Sequence, residues 1–129
     1  MFGQSMNVRN AYQAGGLEAE ILGSSPHRLI MLLFDGAFAY IAQAKAHMAA
    51  GEVQAKAEAI TRAVDVISRG LRSSLNIRDG GELAQALDDL YEYIGLQLVK
   101  GHMQNNPALL DEATTLLKQL ADAWAQIEQ

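Results

Sequence analysis

Apolar residues along this chain recur at alternating steps of three and four, the spacing of one face of an amphipathic helix. Four stretches carry this pattern, and they are predicted to run over residues 26–49, 53–75, 82–103 and 107–127. No stretch alternates with the period of two that is typical of strands, and the connections are short. The sequence therefore predicts an all-α fold, an antiparallel up-down-up-down four-helix bundle.

Residue types at the predicted helix ends support these boundaries. Ser25 can cap the free amides of the first helix, and Pro26 at its first position loses no hydrogen bond. Asn106 and Pro107 repeat that signal before the fourth helix. Turn-forming residues at 76–81 separate the second helix from the third.

Residues 1–24 form a polar lead interrupted by glycines, and we assign them to an N-terminal segment apart from the bundle of residues 25–129. Met6, Val8 and Tyr12 fit one or two helical turns with an apolar side. Because a short isolated helix is marginal in water, this segment is expected to hold only when docked, with the first long helix as its partner. A disordered tail is the alternative for its first residues.

The first long helix is apolar well beyond the face that a bundle buries. If Ile30 and Phe34 face the core, apolar side chains still cover most of the remaining circumference. These are Leu29, Met31, Leu32, Leu33 and Phe38. A bundle covers roughly a third to half of each helix. The surplus predicts a partner-binding surface, a permanent contact with residues 1–24, or a dimer interface.

Charge and composition narrow the function. The chain has 129 residues, a net charge of −5 and no cysteine, which excludes disulfides and thiolate metal sites and argues against nucleic acid as the main partner. Residues 79–129 hold 9 acidic and 2 basic side chains. The longest apolar run ends at Asp35, far short of the ~20 residues of a membrane span. A soluble, intracellular protein is expected.

No catalytic, cofactor-binding or metal-binding pattern appears. No histidine lies three positions after a glutamate, as di-iron bundles require. Asp88, Asp89 and Glu92 are interpreted as an exposed acidic stripe, because neighbouring positions on a helix point about 100° apart. Gly80-Gly81 lacks the lysine of a phosphate loop. The sequence predicts a protein that is not an enzyme.

Several motifs together resemble the flagellar secretion chaperones of the FliS family. They are Ser25-Pro26-His27, Leu29-Ile30, Leu33-Phe34-Asp35-Gly36-Ala37, Gly80-Gly81-Glu82-Leu83-Ala84, Leu87 and Leu90-Tyr91-Glu92-Tyr93-Ile94, with Trp124 in the last helix and Tyr12-Gln13 upstream. The similarity extends over essentially the whole chain in the right order.

This resemblance implies a cytoplasmic four-helix bundle that binds the C-terminal segment of flagellin. Binding would prevent premature polymerisation and assist delivery to the flagellar type III export apparatus, with an export gate component as a second partner and no cofactor. We predict flagellin contacts on the flank of the first helix, at Leu29, Met31, Leu33, Phe38 and Tyr40. Tyr12 is predicted to cover the groove or to contact the export gate. The alternative is a self-associating adaptor that uses this flank as its dimer interface.

The chain departs from the family pattern in the third helix. Gly95-Leu96-Gln97 stands where the family usually has an Arg-Arg pair, and Gly101-His102 stands where it has Ala-Asn. These differences put in doubt any polar contact carried by that face, within the bundle or to a partner.

Overall fold

The computed structural model describes residues 25–127, without the side chains of residues 77–79. Its four long helices are α1 (Pro26–Ala50), α2 (Val53–Asp65), α3 (Ile77–Gln104) and α4 (Pro107–Ala125). A π-helical turn (Val66–Leu71) and a 3₁₀ turn (Arg72–Ser74) continue α2. The described residues contain no strand, which confirms the all-α prediction. The N-terminal segment assigned to residues 1–24, with Tyr12, lies outside the described part.

The predicted starts of α1 and α4 are confirmed by their capping hydrogen bonds. Ser25 Oγ accepts from the main-chain nitrogen of Arg28 at 3.1 Å, and Asn106 Oδ1 accepts from that of Ala108 at 3.0 Å. Gly81, with φ 59° and ψ −136°, breaks the first turn of α3 from the rest, because this conformation is open mainly to glycine. The regular part of α3 therefore begins at Glu82, as predicted.

Contacts between helix ends show the direction of each helix within the compact unit that begins at Ile30. A Cβ placed on Gly70 would lie 3.0 Å from Cδ2 of Leu33, so the late part of α2 packs beside the early part of α1. The ammonium of Lys45, late in α1, lies 2.8 Å from Oδ1 of Asp111, early in α4. Consecutive helices are thus antiparallel, and α1 lies between α2 and α4.

The core combines buried side chains from all four helices. Those of α1 and α2 are Phe34, Ala37, Ile41, Ala44, Ala59, Ile60, Ala63, Ile67 and Leu71, and those of α3 and α4 are Tyr91, Ile94, Leu98, Leu110, Ala113, Leu117 and Ala121. Most of the predicted inward positions are confirmed. The three-and-four spacing also predicts that Val53, Leu83 and Ile127 face the core, and this prediction is wrong, because all three are exposed. These three lie near helix ends, where fewer neighbouring helices are present to cover them.

Helix α1 is the one helix in the described part that is long and apolar enough, by length and composition alone, to cross a membrane. Core helices of soluble proteins pass the same test, and α1 buries four residues in the core of the bundle. The first helix is therefore accounted for as a bundle helix.

Candidate protein-binding surface

The side chains predicted to bind a partner on α1 are all half-buried. Leu33, Phe38 and Tyr40 pack against the core, and Leu29 and Met31 are also partly covered. None of them is among the large hydrophobic side chains that the described part leaves exposed. The apolar surface that α1 exposes is therefore smaller than the sequence pattern predicts.

These α1 residues also lie on two different flanks. Leu33 and Tyr40 are seven residues apart, so they share a helix face. Leu33 lies beside Gly70, in the π-helical turn that continues α2, so this face is turned toward α2. Met31 and Phe38 form a second such pair, in line with Lys45, whose ammonium contacts α4. The structure thus divides the predicted contacts between the α2 side and the α4 side.

Three exposed apolar side chains lie close to one another in the sequence of α3. Leu96, Val99 and Met103 are 61%, 38% and 75% exposed. Steps of three and four residues place them on one face of the helix. They form a stripe about 10 Å long, since a helix rises 1.5 Å per residue.

A shallow groove of about 350 Å³ runs between α2 and α3 beside this stripe. Ala57, Ile60 and Val64 of α2 line it, and Val99 and His102 line it from α3. Val99 belongs to both features, so groove and stripe are continuous. We call this combined area, the groove with Leu96 and Met103, the α2–α3 apolar surface.

An ion pair links α2 to α3 beyond the groove, toward the start of α3. Arg72 Nε and Nη2 donate to the carboxylate of Asp88 at 2.9 and 3.0 Å. The hydrogen bond from Arg72 lowers the pKa of Asp88 below its usual value. The predicted acidic stripe is thus wrong for Asp88, whose side chain is only 17% exposed, while Asp89 and Glu92 remain exposed.

At the other end of the groove, a buried lysine holds the last turn of α3. The Lys56 ammonium donates to the main-chain oxygen of His102 at 3.1 Å and to the side-chain oxygen of Asn105. Lys56 is 3% exposed. His102 Nδ1 is also buried, and among the described residues it is the one buried side-chain nitrogen or oxygen without a hydrogen-bond partner.

The side of α3 that faces α4 is polar instead. Tyr93 Oη donates to Oε2 of Glu112 at 2.7 Å, and Gln97 Nε2 donates to Oε1 at 2.8 Å. These two hydrogen bonds, that of Tyr93 first, lower the pKa of Glu112. Gln97 therefore maintains a polar link between α3 and α4 within the bundle. Tyr91, by contrast, lies in the core, and burial raises its pKa to about 12.

Sequence reasoning missed the α2–α3 apolar surface, although one signal was available. The apolar spacing of α3 predicts that Ile94 and Leu98 face the core, and Leu96 lies about 200° around the helix from Ile94. An apolar residue opposite the core-facing line of α3 is a sign of an external contact. Lys56 gave no such signal, because a lysine at a helix start is usually solvated.

The described residues contain no group of three side chains suited to hold a metal ion. What they do contain is an open apolar groove on a helical bundle, with a stripe of exposed apolar residues beside it. These features define a class, the helical-bundle proteins that bind other polypeptides through apolar surface.

Comparisons with known proteins identify the family within that class. The family described as "Flagellar protein FliS" matches residues 8–129, and the chain belongs to it. It is 37% identical over 117 residues to the Flagellar secretion chaperone FliS of Salmonella typhimurium, covering 91% of this chain and 87% of that protein. It is 38% identical over 120 residues to the Flagellar secretion chaperone FliSB of Pseudomonas aeruginosa, covering 93% and 94%. The family is one of chaperones and not of enzymes.

Proposed function

We propose that this protein is a cytoplasmic flagellin chaperone that binds the C-terminal segment of flagellin. In this role it prevents premature polymerisation and assists delivery to the flagellar type III export apparatus, where an export gate component is its second partner. Membership of a flagellar chaperone family and the names of its relatives support the proposal.

The α2–α3 apolar surface is the observation that carries the proposal. Its groove has the concave, largely apolar wall that accepts an amphipathic helix, and Leu96 and Met103 extend it along α3. Flagellin's terminal segment buries apolar helix faces in the filament, so a chaperone that covers those faces keeps it from assembling.

The flank of α1 remains part of the proposed contact. A client segment that wraps around the bundle can reach Leu33 and Phe38 on their separate sides, and Leu29, Met31 and Tyr40 beside them. These side chains are partly accessible, so they would add to a contact that the α2–α3 apolar surface begins. Tyr12 is proposed to cover the groove or to contact the export gate.

The energetics of such a complex favour capture with later release. A client segment that is unfolded when free pays an ordering cost as it folds on the chaperone. The net affinity is therefore lower than the contact area alone would give. A large covered surface and timely handover are thus compatible.

Titration calorimetry of the purified protein with a synthetic flagellin C-terminal peptide tests the proposal. We expect saturable binding and an increase in helical circular dichroism beyond the sum of the two components. A scrambled peptide of the same composition is the control. Absence of binding, together with a tight dimer in sedimentation that the peptide does not change, would favour the self-associating adaptor.

A further inference from the structure

The imidazole of His102 lies in the wall of the groove at its α3 side, whereas the polar residues Thr61, Asp65 and Ser68 line it from the α2 side. Its ring lines the groove beside Val99, while Nδ1 is buried without a hydrogen-bond partner. A buried polar atom without a partner is unfavourable, and native structures rarely leave one unsatisfied. The site therefore has hydrogen-bonding capacity that the described part of the chain does not use.

The backbone that carries this imidazole is fixed. The main-chain oxygen of His102 accepts the hydrogen bond of the buried Lys56, and the same ammonium binds the side chain of Asn105. A turn of the ring about its Cβ–Cγ bond exchanges the places of Nδ1 and Cδ2, and this torsion is broad and roughly two-fold. The buried nitrogen can thus be presented to the groove while the backbone stays in place.

The exposed charges of α3 near the other end of the surface are acidic, and Arg72, which lies close to them, is paired with Asp88. Asp89 and Glu92 are exposed and precede Leu96 on α3 by seven and four residues, so they share its side of the helix. Asp65, which lines the groove on α2, is paired with Arg69 at 3.0 Å. A bound helix that reaches Glu92 would therefore bind more favourably if it carried a basic residue opposite this carboxylate.

We propose that His102 and Glu92 select the client helix that fills the groove. The occupant is an amphipathic helix with Ser, Thr, Asn or Gln on its apolar face opposite His102, and Lys or Arg opposite Glu92. His102 and Glu92 are ten residues apart on α3, about 15 Å, so the two client residues lie about ten residues apart as well. This inference rests on the proposed flagellin binding and specifies which part of the client segment enters the groove.

Double-mutant cycles with the flagellin C-terminal peptide test the selection. Each Ser, Thr, Asn or Gln of the peptide is replaced by Ala and titrated against the wild-type protein and against His102→Leu. We expect one position whose replacement weakens binding about 3–10-fold to the wild type and less than about 2-fold to His102→Leu. His102→Gln, which can still hydrogen-bond, should bind the parent peptide within about 2-fold of the wild type.

A second cycle pairs Glu92→Gln with replacement of each basic residue of the peptide by Gln. The coupled basic position should lie about ten residues from the position coupled to His102. Circular dichroism and thermal unfolding of each variant establish that it is folded, and His102→Ala, which also lacks a hydrogen-bonding side chain, replaces His102→Leu if that variant is not folded.

The outcomes separate this inference from the proposed function. If the peptide binds the wild-type protein but no polar position couples to His102, the selection by His102 is overturned while flagellin binding stands. If His102→Leu binds the peptide more tightly than the wild type does, and no polar position of the peptide couples to His102, selection by His102 is likewise overturned. If the peptide does not bind the wild-type protein at all, both proposals fail.

Discussion

Lys56, at the start of α2, donates a hydrogen bond from its ammonium to the main-chain oxygen of His102, at the end of α3, across 3.1 Å. The two residues are 46 positions apart in the sequence, and the contact joins a buried charge to one wall of the groove. It couples the stability of the turn between α3 and α4 to the shape of the candidate binding surface.

Replacing Lys56 by Met should destabilise the protein. Met keeps the apolar stem, but it leaves the His102 oxygen and the Asn105 side chain without their common donor. The His102 oxygen keeps a bond from the main-chain nitrogen of Asn105, so the loss is that of hydrogen bonds from a charged group, about 1.5–3 kcal/mol. Lys118→Met, at an exposed position of α4, is the matched control and should change the unfolding free energy by less than about 0.5 kcal/mol. Urea denaturation measures both, and equal midpoints for the two variants would contradict the prediction.

Two glycines of α3 should respond in opposite directions to alanine. A Cβ at Gly101 would lie 3.0 Å from Leu110 Cδ2 and 3.2 Å from the main-chain oxygen of Asn106, so Gly101→Ala should destabilise by about 1–3 kcal/mol. A Cβ at Gly95 meets nothing within 4 Å. Gly95→Ala should therefore stabilise by roughly 0.5–1 kcal/mol, because alanine costs less backbone entropy in a helix. Guanidinium denaturation of the pair checks the sign of each change.

The Arg72–Asp88 pair should make stability depend on pH in acid. Because Arg72 lowers the pKa of Asp88, the unfolded state binds more protons than the folded state as the pH falls. The contribution of the pair is present above the unfolded pKa of about 3.9 and is lost as the pH falls through the lower folded value. The difference in unfolding free energy between wild type and Asp88→Asn should shrink from about pH 6 to about pH 3. A difference that stays constant across that range in urea titrations would disprove the assignment.

Leu96→Asp should separate binding from stability. Leu96 is 61% exposed, so the change should alter the unfolding free energy by less than about 0.5 kcal/mol. In a desolvated contact with flagellin the new charge is unfavourable, and affinity for the C-terminal peptide should fall at least about tenfold. Ile127→Asp, at another exposed apolar position beyond α4, is the matched control and should bind normally. Unchanged affinity of Leu96→Asp would remove the stripe from the proposed surface.

Leu33→Asp should impair both properties. The side chain packs against the core and lies within van der Waals contact of the Gly70 position, so a charge there should lower stability by about 2–5 kcal/mol. Leu33→Met, which conserves volume, should cost less than about 1.5 kcal/mol. Thermal unfolding beside peptide titration distinguishes the two effects. A Leu33→Asp protein as stable as the wild type would mean that this side chain is less enclosed than its packing indicates.

The sequence alone was sufficient to predict the four helices and most of the residues that face the core. Ser25 and Asn106 act on amides two or three residues away, and Gly81 determines its own backbone conformation. Such signals are local, so they can be read without knowing which helices become neighbours. Motifs such as Ser25-Pro26-His27, which are also local, indicated the family, and the family match over residues 8–129 confirms it.

Only the tertiary structure decided where apolar surface remains. The side chains of α1 that looked in surplus are half-covered, whereas Leu96 and Met103 of α3 are exposed. Burial depends on the distance and rotation of neighbouring helices, which the spacing along one helix does not contain. The groove beside His102 and the link from Lys56 exist because α2 and α3 lie side by side, and residues so far apart in sequence meet only after the chain has folded.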